Sequence, residues 1–92
     1  MTQTISKTFE IVNQKGLHAR ASAKFVEVVE QHAANVEVSK DGLSATGDSI
    51  MGLLMLAASK GSFINVEISG ADADAAAKAL EALIAEKFGE EF

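Results

Sequence analysis

The sequence predicts an α+β domain in which a four-stranded antiparallel sheet carries three helices on one of its faces. Four short segments alternate apolar and polar residues, which is typical of strands that bury one side. The longer segments between them show the apolar spacing and the capping residues of helices. The resulting order is βαββαβα. Because every strand alternates, one sheet face should be buried under the helices and the other solvated.

The first half of the chain supplies three strands and one helix. A strand is predicted over residues 4–12 and a helix over residues 19–31, where the apolar period lengthens. The segment NVEVSK at residues 35–40 predicts the second strand, and the Asp-Gly pair after it is a strong hairpin signal. A short third strand over residues 43–46 pairs back on the second. The inward-facing positions expected here are Ile5, Phe9, Ile11, Ser22, Phe25, Val26, Val29, Val36 and Val38.

The second half supplies two helices and the last strand. Asp48 or Ser49 can cap a helix that runs through IMGLLMLAAS and stops near Gly61. The segment FINVEIS predicts the fourth strand, and Asp72 or Asp74 can cap the final helix. The core positions expected here are Leu53, Leu56, Ile64, Val66, Ile68, Ala73, Ala76, Ala77, Leu80, Leu83, Ile84 and Phe88.

Length and composition limit the classes of function. With 92 residues, of which 48% are hydrophobic, the chain is expected to form a single domain over residues 1–92. The absence of Cys excludes disulfides and thiolate metal sites. A net charge of −5 argues against broad binding to nucleic acids or anionic membranes. There is no signal-peptide pattern and no apolar run near the roughly 20 residues that span a bilayer, so a cytoplasmic location is expected.

The stretch NQKGLHARASAKF holds the residues that carry chemistry. His18 lies at or next to the N-cap of the first helix, so the free amides of Ala19 and Arg20 can point toward a group on its side chain. Arg20 adds a fork of donors that matches phosphate, and Lys15 and Lys24 add local positive potential. Neutral imidazole is a nucleophile and, once protonated, a leaving group. This combination predicts a site that accepts and releases a phosphoryl group.

Other interpretations of His18 stay open at this point. It could be a polar loop residue at a helix start, without chemistry. A metal site has little support, because His32 is the only other histidine and no nearby carboxylate is evident from the sequence. A hydrolase that uses His18 as its base lacks an identifiable nucleophile and an orienting acid.

Two motifs in register give the chain a family resemblance. GLHAR at residues 16–20 and GDSIMGLLMLAASKG at residues 47–61 resemble HPr, the histidine phosphocarrier of the bacterial phosphoenolpyruvate-dependent phosphotransferase system. The resemblance implies an open-faced β-sandwich with sheet order 1-4-2-3. It also implies that His18 is phosphorylated on Nδ1 and not on Nε2, with Arg20 beside it. Ser49 then occupies the position of the family's regulatory serine, although it is also a good helix cap.

The resemblance further implies the partners. They are enzyme I as donor, enzyme IIA-type proteins as acceptors and, in some bacteria, an HPr kinase that acts on Ser49. A monomer that needs no metal or organic cofactor is expected. Because the second helix has more apolar residues than one buried face requires, part of it should be exposed for docking. The predicted docking residues are Ile50, Met51, Leu54, Met55 and Lys24.

Three departures from the family pattern affect the function. The family usually has Pro where this chain has Ala21, which leaves the helix start less constrained. Basic residues near the docking surface are few, with Glu30 and Gly52 among the replacements. The segment IMGLLMLAASKG and the acidic tail FGEEF look closer to the nitrogen-related branch of the family.

The sequence therefore supports a leading function and an alternative. The leading hypothesis is a stoichiometric phosphoryl carrier, and not a turnover enzyme, that acts in sugar uptake or its regulation. The alternative is a regulatory binding module of the nitrogen-related branch, or one controlled through Ser49 with transfer at His18 secondary.

Overall fold

The computed structural model describes residues 4–92 and confirms the element order. Each predicted strand and helix is present, and one short 3₁₀ turn follows the last helix. No helix among the described residues is long and apolar enough to cross a membrane. The elements are β1 Thr4–Glu10, α1 Ala19–Glu30, β2 Asn35–Lys40, β3 Leu43–Thr46, α2 Ile50–Met55, β4 Phe63–Ser69, α3 Ala73–Ala85 and the 3₁₀ turn Lys87–Gly89.

The four strands form one antiparallel sheet in the order β1-β4-β2-β3. Val66 of β4 lies opposite Val38 of β2, and Ile64 lies opposite Phe9 of β1, so apolar residues are paired across the sheet. Ile64, Val66 and Ile68 are fully buried. The three helices cover this face and leave the other face open, which confirms the open-faced β-sandwich.

Gly16 fixes the loop that leads into α1. Its φ of +68° lies in the left-handed region, and a Cβ atom placed there would lie 2.5 Å from the carbonyl oxygen of Ala58. Only glycine accepts both conditions without strain. The next residue, Leu17, donates its backbone N–H to the same Ala58 oxygen at 2.8 Å. The start of α1 is thereby held against the segment that follows α2.

The second helix is shorter than the sequence predicts. It ends at Met55 and does not continue to Ser59, because Ala57 has a left-handed φ of 52°. This turn directs the chain so that Ala58 can accept the hydrogen bond from Leu17. The core positions Leu53 and Leu56 are buried as predicted, with exposed fractions of 0% and 2%.

The ends of the first strand and the last helix also differ from the prediction. β1 stops at Glu10, although Ile11 is still buried and donates to the Ser62 carbonyl at 2.9 Å. Phe88 is fully buried as predicted, but it lies beyond α3 with a φ of 56°. The chain therefore leaves the helix axis after Ala85 and turns its last residues toward the start of α1.

Candidate functional site

His18 is the N-cap residue of α1, which confirms its predicted place. Its backbone is extended, with φ −76° and ψ −176°, and its carbonyl accepts the first helical hydrogen bond from Ser22 at 2.8 Å. The ring nitrogen Nδ1 accepts a hydrogen bond from the backbone N–H of Arg20 at 3.3 Å. Nδ1 therefore lies at the amide-rich start of a twelve-residue helix, where the helix dipole favours negative charge.

The imidazole of His18 is half-buried, with 27% of its side chain exposed. The other ring nitrogen, Nε2, is in direct hydrogen-bond contact with Oε2 of Glu90. The expectation that no carboxylate lies near His18 is wrong. The carboxylate comes from the acidic tail, 72 positions further along the chain.

Asn13 connects this carboxylate to the loop before α1. Its side-chain amide is fully buried and donates to Oε1 of Glu90 at 2.9 Å and to the Gly16 carbonyl at 2.8 Å. Partial burial favours the neutral acid. The hydrogen bonds from Asn13 and His18 and the attraction of His18 and Lys15 nevertheless hold the pKa of Glu90 below its ordinary value. Glu90 is therefore an ionised group of the site at neutral pH.

Arg20 and Lys15 supply the positive charge of the site. They line a shallow cavity of about 160 Å³ together with His18 and Glu90. The side chain of Arg20 is exposed, and within residues 4–92 the structure shows no hydrogen bond or ion pair for its guanidinium group. Its five donors are thus available to an anion that enters the cavity.

Lys24, a predicted docking residue, contacts the tail instead of standing free. Its ammonium group donates to the Phe88 carbonyl at 2.6 Å, and the side chain is half-buried. This bond and the buried Phe88 ring hold the tail at the start of α1. Docking through Lys24 stays a prediction.

Ser49 is the N-cap of α2, with its Oγ accepting the backbone N–H of Gly52 at 3.0 Å. An apolar patch lies directly after this cap on α2. Ile50, Met51 and Met55 are 40%, 70% and 74% exposed, and Leu54 is half-buried between them. The predicted exposure of this helix is confirmed, while its role in docking stays a prediction.

The structure of residues 4–92 gives no evidence for a metal site. No group of three His, Asp or Glu side chains in that range could hold a metal ion. His32 lies apart from His18, just after α1, and its Nδ1 is hydrogen-bonded to the Val28 carbonyl at 2.8 Å. Its side chain is half-buried.

The protein is thus a small open-faced β-sandwich that presents a half-buried histidine at a helix N-terminus. The family model described as "PTS HPr component phosphorylation site" matches residues 5–86, a range that ends before Glu90. The chain belongs to the HPr family of phosphocarrier proteins of the phosphotransferase system.

Relatives and solved structures agree with this assignment. Phosphocarrier protein HPr of Neisseria meningitidis serogroup A is 48% identical over 86 residues, which is 94% of this chain and 97% of the relative. Phosphocarrier protein NPr of Escherichia coli K12 is 37% identical over 89 residues, 96% of this chain and 99% of the relative. The crystal structure of HPr-C-His from Thermoanaerobacter tengcongensis has a TM-score of 0.90 at 40% identity, and the match covers 96% of this chain and 99% of that chain.

Proposed function

We propose that this protein is a stoichiometric phosphoryl carrier that accepts the group on Nδ1 of His18. The donor would be phosphorylated enzyme I, and the acceptors would be enzyme IIA-type proteins. One observation carries the proposal: Nδ1 of a half-buried imidazole lies at the start of α1, and the same cavity is lined by Arg20, whose guanidinium makes no hydrogen bond or ion pair within residues 4–92. Family membership supports the general role of phosphocarrier.

The geometry suggests how the site would hold the group. The hydrogen bond from the Arg20 amide to Nδ1 is long, at 3.3 Å, and is therefore weak and readily broken. When Nδ1 bonds to phosphorus, that amide and the amide of Ala19 can donate to phosphoryl oxygens instead. The helix dipole contributes about 0.3–1 kcal/mol to an anion in this position. Transfer would depend on positioning and charge stabilisation more than on covalent help from other side chains.

Incubation with enzyme I and phosphoenolpyruvate tests the proposal. We expect one phosphate per chain, labile in acid and stable in base, as for a phosphohistidine. A protein that takes up no phosphate under these conditions would contradict it. Acid-stable phosphate that appears only with ATP and a kinase would favour the module controlled through Ser49.

Replacing Arg20 with alanine is expected to slow phosphoryl uptake by about 10- to 100-fold. The lost donors would otherwise bond a doubly charged group, and each such bond contributes about 1.5–3 kcal/mol. The uptake rate of Arg20→Lys should lie between those of the wild-type protein and Arg20→Ala. An ammonium group keeps the charge but lacks the planar fork of donors that a guanidinium presents. Initial rates of uptake from phosphorylated enzyme I measure the effect. Lys78→Ala removes an exposed cation from α3 and serves as the control; equal rates for the two alanine variants would contradict the role of Arg20.

Ser49→Ala separates the leading function from the alternative. We expect the variant to take up one acid-labile phosphate, as the unmodified protein does, because Ser49 does not contact the His18 cavity. Loss of the cap on α2 should lower the free energy of unfolding by about 0.5–2 kcal/mol, measured by urea denaturation. Ser44→Ala, at an exposed serine of β3, is the control. Loss of all phosphate from the Ser49 variant would support the alternative.

The identity of the acceptor protein would distinguish the sugar-transport branch of the family from the nitrogen-related branch. Transfer from the phosphorylated protein to a sugar-type or to a nitrogen-type enzyme IIA can be compared in one assay.

We propose that the apolar patch on α2 docks both enzyme I and the acceptor. We also propose that the protein acts as a cytoplasmic monomer built from one domain.

A further inference from the structure

We propose that Glu90 is a positioning residue for phosphoryl acceptance: it holds the proton of His18 on Nε2 and so keeps the lone pair on Nδ1. This inference rests on the proposed function of His18. It concerns the tail, which the sequence motifs do not include.

The partners of the imidazole determine which nitrogen carries the proton. A backbone N–H can only donate, so the nitrogen that faces the Arg20 amide must accept. Nδ1 therefore presents a lone pair. An ionised carboxylate can only accept, so Nε2 must donate its proton to Glu90. Both contacts select the same tautomer of the neutral ring, the one whose nucleophile is Nδ1.

The tail is fixed well enough to act in this way. Phe88 is fully buried, and its carbonyl is bonded to Lys24 at 2.6 Å. Asn13 binds the second oxygen of Glu90, and the backbone N–H of Gln14 donates to the Phe92 oxygen at 2.6 Å. Contacts on both sides of Glu90 thus hold its carboxylate against the ring, and the hydrogen bond of one ring nitrogen sets which nitrogen of a histidine carries the proton.

The transfer step gains from the same contact. The Nδ1 lone pair forms the bond to phosphorus as the bond from phosphorus to the donor imidazole breaks, and that electron pair stays on the donor nitrogen. The positive charge leaves the donor ring and appears on the ring of His18, which keeps its Nε2 proton. No proton has to move. Because Glu90 faces Nε2, its negative charge stabilises the imidazolium that forms.

Three variants and two measurements test the inference. Glu90→Ala removes the carboxylate, and Glu90→Gln removes the charge and leaves one acceptor oxygen in place of two. Glu86→Ala, the control, removes an exposed carboxylate that does not line the His18 cavity. The measurements are the initial rate of uptake from phosphorylated enzyme I and the ¹⁵N spectrum of the His18 ring in the unphosphorylated protein. Urea denaturation shows that each variant is folded under the conditions used.

We expect the rate to fall about tenfold in Glu90→Ala, less in Glu90→Gln and less than twofold in Glu86→Ala. The ¹⁵N spectrum should show the Nε2–H tautomer in the wild-type protein and an added Nδ1–H population in Glu90→Ala. Equal rates for Glu90→Ala and Glu86→Ala would overturn the inference. Faster phosphoryl uptake by Glu90→Ala than by the wild-type protein would also overturn the inference and would show that the tail obstructs the site.

The two proposals fail in different ways. If the protein takes up no phosphate at all, the proposed function fails, while the tautomer measurement still tests Glu90 because it needs no donor. If uptake on His18 is normal and neither rate nor tautomer responds to Glu90, only the inference about the tail is wrong.

Discussion

His18→Ala is expected to abolish the uptake of acid-labile phosphate and to leave the domain folded. The ring supplies the only atom in the cavity that is proposed to bond phosphorus, so no partial activity should remain. Its removal exposes little core, because the half-buried side chain is not part of the hydrophobic core. Loss of its capping and tail contacts should lower the free energy of unfolding by less than about 2 kcal/mol.

The other histidine provides a matched control for this result. His32 is half-buried and bonded to the Val28 carbonyl, but it does not line the His18 cavity. His32→Ala should therefore take up phosphate like the unmodified protein. Both variants are compared by incorporation from labelled phosphoenolpyruvate, followed by acid treatment. Acid-labile phosphate on a folded His18→Ala protein would show that another residue is the acceptor.

Phe88→Ala is expected to lower the free energy of unfolding by about 3–5 kcal/mol, the largest effect on stability among the substitutions considered. The ring is fully buried beyond the end of α3, and truncation of a buried phenylalanine leaves a cavity that the surroundings fill only in part. The loss would also release the tail that carries Glu90. Equilibrium denaturation in urea measures the change.

Phe92 is the natural comparison for Phe88. Its side chain is 67% exposed, and its contact to Gln14 is made through the backbone, which alanine preserves. Phe92→Ala should therefore change the free energy of unfolding by less than about 0.5 kcal/mol. If the two variants lost similar stability, Phe88 would not be the anchor that its burial indicates.

The sheet and most of the core could be predicted because their signals are local. Alternation in NVEVSK and FINVEIS places Val36, Val38, Ile64 and Val66 on one face, and a strand must direct successive side chains to opposite faces. The N-caps at His18 and Ser49 were predictable for a similar reason, since the residue types and their helical neighbours lie within a few positions.

The end of α2 and the tail could not be predicted because they depend on distant contacts. Nothing near Ala57 indicates a left-handed residue; the turn is stabilised by the bond between Leu17 and Ala58, which joins separate parts of the chain. Glu90 reaches His18 only because the chain turns at Phe88 and that ring is buried. The combination of an apolar residue, a glycine and an acid in FGEE is the only local signal, and it does not identify a partner.

The position of phosphorus on the imidazole decides whether Nδ1 of His18 is the atom that accepts the phosphoryl group. Protein labelled with ¹⁵N and phosphorylated by enzyme I can be examined by NMR for coupling between phosphorus and each ring nitrogen of His18. We expect coupling to Nδ1, with the proton retained on Nε2. Phosphorus on Nε2, or on a residue other than His18, would contradict it.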